Sequence, residues 1–212
     1  MILYSFWRST TSYRVRVAIN LKGISYETRP VNLTEHEQNA ADYVKLSPIQ
    51  GVPTLITDSG DTLIQSLALL EYLDETHPEP PLLPTDPVLR ARVRAAAQTI
   101  AMEIHPLNNL KVLAYLKGRL GHSQDEAVDW MRHWMAEGFT AFTAQIDTKT
   151  TFCFGETPTM ADICLAGQMI NARRWGLDTG PFPRLVDIDT ACRALAAFHD
   201  AEPENQPDAI PL

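Results

Sequence analysis

The sequence has only three cysteines, and no two of them show the C-x-x-C spacing of a redox-active dithiol. They lie far apart, at Cys153, Cys164 and Cys192, in apolar or helical surroundings. Such a pattern is typical of reduced core cysteines in a cytoplasmic protein. We therefore expect a cytoplasmic protein without disulfides and without dithiol chemistry.

Long apolar runs and an excess of positive charge are also absent. No apolar run approaches about 18 residues and no charged-then-apolar signal opens the chain, so we expect no membrane segment. The formal net charge of -8 argues against binding to nucleic acid or to anionic membranes. The histidines are scattered without ligand spacing, so no metal site is predicted.

What the sequence does contain is an alternation of short elements followed by a long helical region. Residues 1–80 predict the order β-α-β-α-β-β-α, and residues 86–212 predict helices alone. A proline-dense stretch, His77–Pro84, separates the two and marks a domain boundary. The fold class is therefore α/β plus all-α. The predicted helices begin near Ser12, His36, Ser66, Pro87, Leu107, Ser123, Thr159 and Leu185. Residues 52–56 and 62–64 predict a hairpin, and Pro106 is expected to bend the helix that starts at Pro87. Capping boxes at Ser123–Glu126 and Thr159–Asp162 are expected to begin helices, the second as a folding element and not as a catalytic one.

Four hydroxyl residues mark the turn between the first strand, residues 2–6, and the first helix. They are Ser9, Thr10, Thr11 and Ser12, and Arg8 precedes them. Unpaired N–H groups and the positive end of the helix dipole favour an anion at such a helix start. A plain N-cap cluster is the competing interpretation.

Two further segments of the first 80 residues suit a small anionic peptide. A cis bond between Val52 and Pro53 would turn the Val52 backbone outward, where its N–H and C=O pair with an extended peptide. Gln65-Ser66 lies at a strand-to-helix junction, and a serine N-cap there suits a carboxylate. Together the three segments predict binding of a thiol, a backbone and a carboxylate.

The chain resembles the zeta class of glutathione transferases over nearly its whole length. The first motif, residues 4–16, and a second one at 104–110, Ile-His-Pro-Leu-Asn-Asn-Leu, are specific to the class. Residues 50–55 and 65–68 match elements shared by many glutathione transferases, and residues 159–162 and 171–175 match as well. The resemblance implies the glutathione transferase fold: a thioredoxin-like glutathione-binding domain, residues 1–80, and a helical substrate-binding domain, residues 86–212, as a homodimer.

The resemblance also implies a role for each matched residue. Ser9 corresponds to the hydroxyl that hydrogen-bonds the glutathione sulfur, and the neighbouring hydroxyls of Thr10 and Thr11 are the alternative donors. Thr10 and Thr11 replace the usual Ser-Cys, so no protein thiol is needed. Arg8 and Arg174 correspond to arginines that receive carboxylates of a dianionic keto-acid substrate. Asn108 corresponds to a residue that contacts both this substrate and glutathione. The remaining glutathione-binding positions are Gln50, Val52, Pro53, Gln65, Ser66 and His105.

The implied activity is glutathione-dependent cis–trans isomerisation of maleylacetoacetate or maleylpyruvate in aromatic catabolism. Leu110-Lys111 favours maleylacetoacetate, because the maleylpyruvate type carries an arginine there. Two alternatives stay open: a transferase that displaces halide from α-haloacids, and a glutathione-binding protein without turnover.

Several of these residues also have purely structural interpretations. Arg14 and Arg16 stand two apart on a helix, so we expect them to form salt bridges more than ligand contacts. His105 is as well explained as a structural histidine before Pro106, and Asn108 and Asn109 as caps of the backbone that this proline exposes. Arg173 is expected to face solvent, although its role and that of Arg174 are exchangeable.

Overall fold

The computed structural model describes residues 1–210, which form two compact units. One unit comprises Met1–Leu82 together with the C-terminal segment from Ala194, and the other comprises Leu83–Arg193. The chain passes from one unit to the other between Leu82 and Leu83, within the proline-dense stretch of residues 77–84. The C-terminal segment differs from the expectation, because it lies with the N-terminal unit.

The N-terminal unit is a four-stranded mixed sheet with helices. Its strands are β1 (Ile2–Ser5), β2 (Glu27–Pro30), β3 (Thr54–Ile56) and β4 (Thr62–Ile64), in the order β2-β1-β3-β4. β1 runs parallel to β2 and antiparallel to β3, and β3 and β4 form the expected hairpin. The helices of this part are α1 (Thr10–Leu21), α2 (Ala41–Leu46) and α3 (Ser66–Thr76). The predicted β-α-β-α-β-β-α order is confirmed.

α1 begins at the hydroxyl cluster and runs through the centre of its unit. Its residues from Tyr13 to Ile19 are all buried, including Arg14 and Arg16. The predicted helix from His36 to Lys45 is instead a 3-10 turn, Glu37–Asn39, followed by α2 after a break at Ala40. Ala40 has an extended backbone, which a continuous helix does not permit.

The second unit is helical. It contains α4 (Pro87–Gln98), α5 (Leu110–Gly118), α6 (Gln124–Thr143), α7 (Met160–Arg174) and α8 (Pro183–Arg193). The Ser123–Glu126 capping box begins α6 as predicted. The buried Asp162 carboxylate accepts hydrogen bonds from the Thr159 and Cys153 backbones, each at 2.7 Å, so its predicted role as a folding element is confirmed.

The predicted last helix, residues 185–199, is two helices. α8 ends at Arg193, and α9 (Ala196–His199) starts after Leu195, whose backbone is extended. α9 packs on α1 within the N-terminal unit, where the Asn20 amide donates to the Ala197 carbonyl at 3.0 Å. A 3-10 turn, Pro203–Asn205, follows.

Cys153, Cys164 and Cys192 are buried, as predicted, and no disulfide joins them. Burial raises the pKa of the Cys153 thiol and that of the Cys192 thiol, which keeps both protonated. Within residues 1–210, none of the helices has the length and apolar character that crossing a bilayer requires.

Candidate functional site

The N-terminus of α1 holds the hydroxyl cluster that the sequence predicts. Ser9 is the N-cap, and its Oγ accepts from the Ser12 backbone N–H at 3.2 Å. Ser9 Oγ also lies 2.8 Å from Thr11 Oγ1, and Thr11 Oγ1 donates to the Val52 carbonyl at 2.9 Å. The predicted thiol position and the predicted backbone position are therefore linked through Thr11.

The protons of these hydroxyls have one consistent arrangement. Thr11 has a single hydroxyl proton, and a carbonyl oxygen only accepts, so the Thr11 proton points at Val52. In the Ser9–Thr11 pair, Ser9 is then the donor. A thiolate is a stronger acceptor than the neutral Thr11 oxygen, so the Ser9 proton is the one that turns toward an arriving sulfur. Thr10 is buried in the first turn of α1.

The loop that carries Gln50 and Val52 is held from the side of α2. The Gly51 carbonyl accepts from Tyr43 Oη at 2.8 Å and from Ser47 Oγ at 2.9 Å. Gln50 has φ 54°, a left-handed conformation that non-glycine residues seldom adopt, and is exposed. The Val52–Pro53 bond is cis, the geometry considered for it from sequence. The Val52 carbonyl already accepts from Thr11, which leaves it one further lone pair.

The junction before α3 differs in detail from the prediction. Gln65 is the N-cap, and Ser66 is the first residue of the helix, so the predicted serine N-cap was wrong. Ser66 Oγ accepts from Arg14 Nη1 at 3.2 Å. The buried guanidinium therefore adds positive charge to the helix N-terminus at the predicted carboxylate position.

Gln65 has φ 73° and is exposed, so a second predicted binding residue holds an unfavourable backbone. We expect Gln65→Ala and Gln65→Gly to weaken glutathione binding equally, because both remove the amide. Gln65→Gly should nevertheless be about 1 kcal/mol more stable than Gln65→Ala, since glycine adopts positive φ without a Cβ clash. Calorimetry with glutathione and thermal unfolding check the two parts separately. Equal stabilities would show that residue 65 is not strained.

Arg8 precedes the cluster on the connection from β1. Its guanidinium lies over the Trp7 ring, 5.5 Å from the centroid, and the side chain is half-buried. This cation–π contact restricts the arginine while keeping its charge beside the start of α1. The arrangement suits binding of a carboxylate that is partly desolvated.

In the helical unit, the backbone departs from α-helix where the class-specific motif begins. After α4 the chain forms a π-helical turn, Thr99–Ile104, and then a 3-10 turn, His105–Asn108. The sequence predicts a bend at Pro106 but not the π turn. Asn109 is the N-cap of α5 and accepts from the Lys111 N–H at 3.0 Å, so capping explains Asn109.

Capping does not explain Asn108. This residue is only 9% exposed, and both side-chain amide atoms are buried without a hydrogen-bond partner within residues 1–210. Burial of an unsatisfied amide costs about 1–3 kcal/mol. A bound ligand that offers one donor and one acceptor would satisfy this amide. The burial of Asn108 therefore favours its predicted role in binding over its alternative role as a helix cap. His105 is half-buried on the same turn.

The π turn lies against a glycine of α6. A Cβ at Gly138 would lie 2.1 Å from Ile104 Cγ1, so any larger residue displaces the end of the π turn. We expect Gly138→Ala to destabilise the protein by about 1–3 kcal/mol. In an Ile104→Ala background the same change should cost nothing, since the clashing atoms are gone and alanine favours helix. Chemical denaturation of the four proteins measures this coupling, and additive free energies would contradict it.

Arg173 and Arg174 end α7, and the structure distinguishes them. Arg173 forms an ion pair with Asp189, whereas Arg174 Nη1 donates to the neutral Asn171 amide oxygen at 3.1 Å. Arg173 and Arg174 both line a cavity of about 600 Å³, together with Arg132 and Trp175. The ion pair with Asp189 gives Arg173 a structural role, and the preference for Arg174 as the carboxylate-binding residue comes from the resemblance.

Sequence reasoning missed the part that Arg14 plays. Arg14 and Arg16 are both buried and not on a solvent-facing surface. Within residues 1–210, Arg16 donates five hydrogen bonds, all to carbonyl oxygens or to Ser5 Oγ, and not the predicted salt bridge. Their partners lie far away in the chain, and no local pattern indicates them.

Comparison with known proteins identifies the family. Residues 1–75 match the family model described as glutathione S-transferase, N-terminal domain. A protein of Vibrio cholerae serotype O1 named probable maleylacetoacetate isomerase is 44% identical over 99% of this chain and 98% of its own length. A holo structure of maleylpyruvate isomerase, described as a bacterial zeta-class glutathione transferase, has a TM-score of 0.96 at 42% identity, covering 99% of this chain and all of the other. A maleylacetoacetate isomerase of Methylobacterium extorquens AM1, solved with malonate and glutathione, has a TM-score of 0.95 at 34% identity and covers both chains completely.

Proposed function

The chain belongs to the zeta class of the glutathione S-transferase family, and we propose that it is a glutathione-dependent cis–trans isomerase of maleylacetoacetate or maleylpyruvate. The observation that carries the proposal is the Ser9–Thr11–Val52 chain at the start of α1. It presents the Ser9 hydroxyl proton, the N-terminal end of α1 and a backbone edge to a small thiol peptide. Relatives with these names and with bound glutathione support it.

The residues present fit glutathione as the cofactor. Asn108 offers a buried amide that has no hydrogen-bond partner among the described residues, and Ser66 with Arg14 offers positive charge at a helix start. Glutathione supplies a thiolate that adds to the double bond of the cis diacid, permits rotation about it and leaves again, so that glutathione is regenerated. A free thiol has a pKa near ~8.5, so the protein must favour the anion for activity at neutral pH.

This chain's residues favour and use that anion in distinct ways. Ser9 donates its hydroxyl proton to the sulfur, while Thr11 stays on the Val52 carbonyl and fixes the loop. Arg8 receives a substrate carboxylate and stabilises the negative charge that develops on the keto oxygen. Thr10, buried in the first turn of α1, supports its geometry. We assign glutathione contacts to Gln50, Val52, Pro53, Gln65, Ser66, His105 and Asn108.

In the helical unit, Arg174 is our candidate for a second carboxylate of the dianion. A guanidinium binds a carboxylate through two parallel hydrogen bonds and stays charged at every relevant pH. We accordingly assign most of the glutathione contacts to the N-terminal domain and the Arg174 contact with the substrate to the helical one, to which His105 and Asn108 also belong. Maleylacetoacetate is the preferred substrate of the two, because Leu110-Lys111 stands where the maleylpyruvate type has an arginine.

The location and assembly are also part of the proposal. Three buried cysteines that no disulfide joins support a reducing, cytoplasmic environment. Val88 and Met102 are 70% and 61% exposed, and apolar groups so exposed support a homodimer. Light scattering coupled to gel filtration measures the mass, and a monomer at micromolar concentration would contradict the dimer.

The test of the activity is isomerisation of both diacids, followed by absorbance with and without glutathione. We expect fast, glutathione-dependent conversion, and the ratio of the two rates names the substrate. The α-haloacid alternative predicts halide release with consumption of glutathione. A non-catalytic role predicts glutathione binding without either reaction.

A further inference from the structure

Arg16 is a fully buried charge of the N-terminal unit, with an exposed fraction of 0%. Burial lowers the pKa of its guanidinium to about 10, a shift that electrostatic interactions with Tyr26, Asp208 and Tyr13 partly offset, so it stays protonated at neutral pH. A buried cation persists only where its donors are well satisfied. The partners of Arg16 therefore indicate what the charge is for.

Those partners lie on two segments. Arg16 Nε and Nη2 donate to the Ala201 carbonyl at 3.1 and 3.0 Å, on the C-terminal segment. Nη1 donates to Ser5 Oγ at 3.0 Å and to the Phe6 carbonyl at 3.4 Å, and Nη2 donates to the Trp7 carbonyl at 3.1 Å. One guanidinium thus joins the C-terminal segment to the turn after β1.

That turn leads directly to the proposed catalytic residues. The Phe6 carbonyl also accepts from the Ser9 N–H at 2.9 Å, and the Arg8 guanidinium lies over the Trp7 ring. From the other side, the Trp7 N–H donates to Asp208 Oδ2 at 3.1 Å. The turn Phe6–Trp7 is held by Arg16 on its carbonyls and by Asp208 on an N–H.

We propose that Arg16 and Asp208 are positioning residues, which together with the C-terminal segment fix the Phe6–Trp7 turn and thereby set Ser9 and Arg8 for the thiol and the substrate. The inference rests on the proposed function of Ser9 and Arg8. It assigns the C-terminal segment a part in catalysis without any contact with a ligand. A shift of about 1 Å in a positioned group costs on the order of a hundredfold in rate. The gain in rate from a rigid Phe6–Trp7 turn therefore offsets the energetic cost of burying the Arg16 charge.

The test compares three variants with the parent protein. Arg16→Lys keeps the charge but loses the planar fork that serves three carbonyls. Asp208→Ala removes the side chain that accepts from the Trp7 N–H. Because Asp208 is only half-buried, we expect this variant to stay folded. Asn20→Ala is the matched control, because Asn20 also ties α1 to the C-terminal segment, through Ala197, but does not touch the turn.

We expect Arg16→Lys and Asp208→Ala to lower kcat/KM about tenfold or more, and to lower the thiolate absorbance of bound glutathione at a fixed neutral pH. Asn20→Ala should stay within about twofold of the parent on both measures. Folded Asp208→Ala with parental turnover and thiolate absorbance would overturn the proposal, as would equal losses in Asn20→Ala. A parent that binds glutathione as the thiolate but isomerises nothing would instead contradict the proposed function, and the thiolate measurement would still decide the positioning role.

Discussion

Ser9→Ala is expected to lower kcat at neutral pH by about tenfold to a hundredfold, because it removes the hydroxyl proton that we assign to the glutathione sulfur. A hydrogen bond to a charged group contributes about 1.5–3 kcal/mol, which corresponds to about one to two units in the pKa of the bound thiol. The thiolate absorbance of the complex should therefore shift to higher pH. Titration of bound glutathione measures this directly.

Thr11→Val is the matched control for Ser9→Ala. It removes the hydroxyl that is already committed to the Val52 carbonyl, so we expect weaker glutathione binding with little change in the thiol pKa. Ser9→Thr keeps both the hydroxyl and the N-cap and should retain most of the activity. An unchanged thiol titration in Ser9→Ala, or a large shift in Thr11→Val, would show that Ser9 is not the donor.

Arg174→Ala is expected to raise the KM for the dianionic substrate by about tenfold to a hundredfold, since it removes a charged two-point partner of a carboxylate. Glutathione affinity should stay nearly unchanged. Steady-state kinetics with varied diacid, together with glutathione calorimetry, separates the two effects.

Arg173→Ala provides the comparison for Arg174→Ala. Its ion pair with Asp189 gives it a structural role, so the loss should appear in stability and not in the KM. If Arg173→Ala raises the KM and Arg174→Ala does not, the two arginines exchange roles. Parallel loss of glutathione binding in Arg174→Ala would refute its assignment to the substrate.

Much of this organisation follows from local sequence signals. The hydroxyl run before α1, the capping boxes before α6 and α7 and the hairpin of β3 and β4 each depend on neighbours within a few residues, and each was predicted. The motif at residues 104–110, in contrast, was identified through the resemblance to the zeta class. These signals are local because a cap or a turn satisfies its own backbone groups.

The missed features depend on contacts that are distant in the chain. Arg16 finds its acceptors at Ala201 and in the turn after β1, and Arg14 finds Ser66, 52 residues away. The N-cap of α3 is Gln65, in a left-handed conformation, and not the predicted Ser66. A glutamine in the sequence does not indicate a positive φ. The π turn needs the space above Gly138, on another helix. No pattern within a short stretch of the sequence indicates any of these contacts.

The most direct test of the central claim follows the diacid and glutathione by NMR in the same sample, with S-methylglutathione as the comparison. S-methylglutathione keeps the peptide but cannot form a thiolate. We predict that the trans diacid replaces the cis diacid while the glutathione concentration stays constant, and that no conversion occurs with S-methylglutathione. Conversion with S-methylglutathione, or no conversion with glutathione that is bound, would contradict the account.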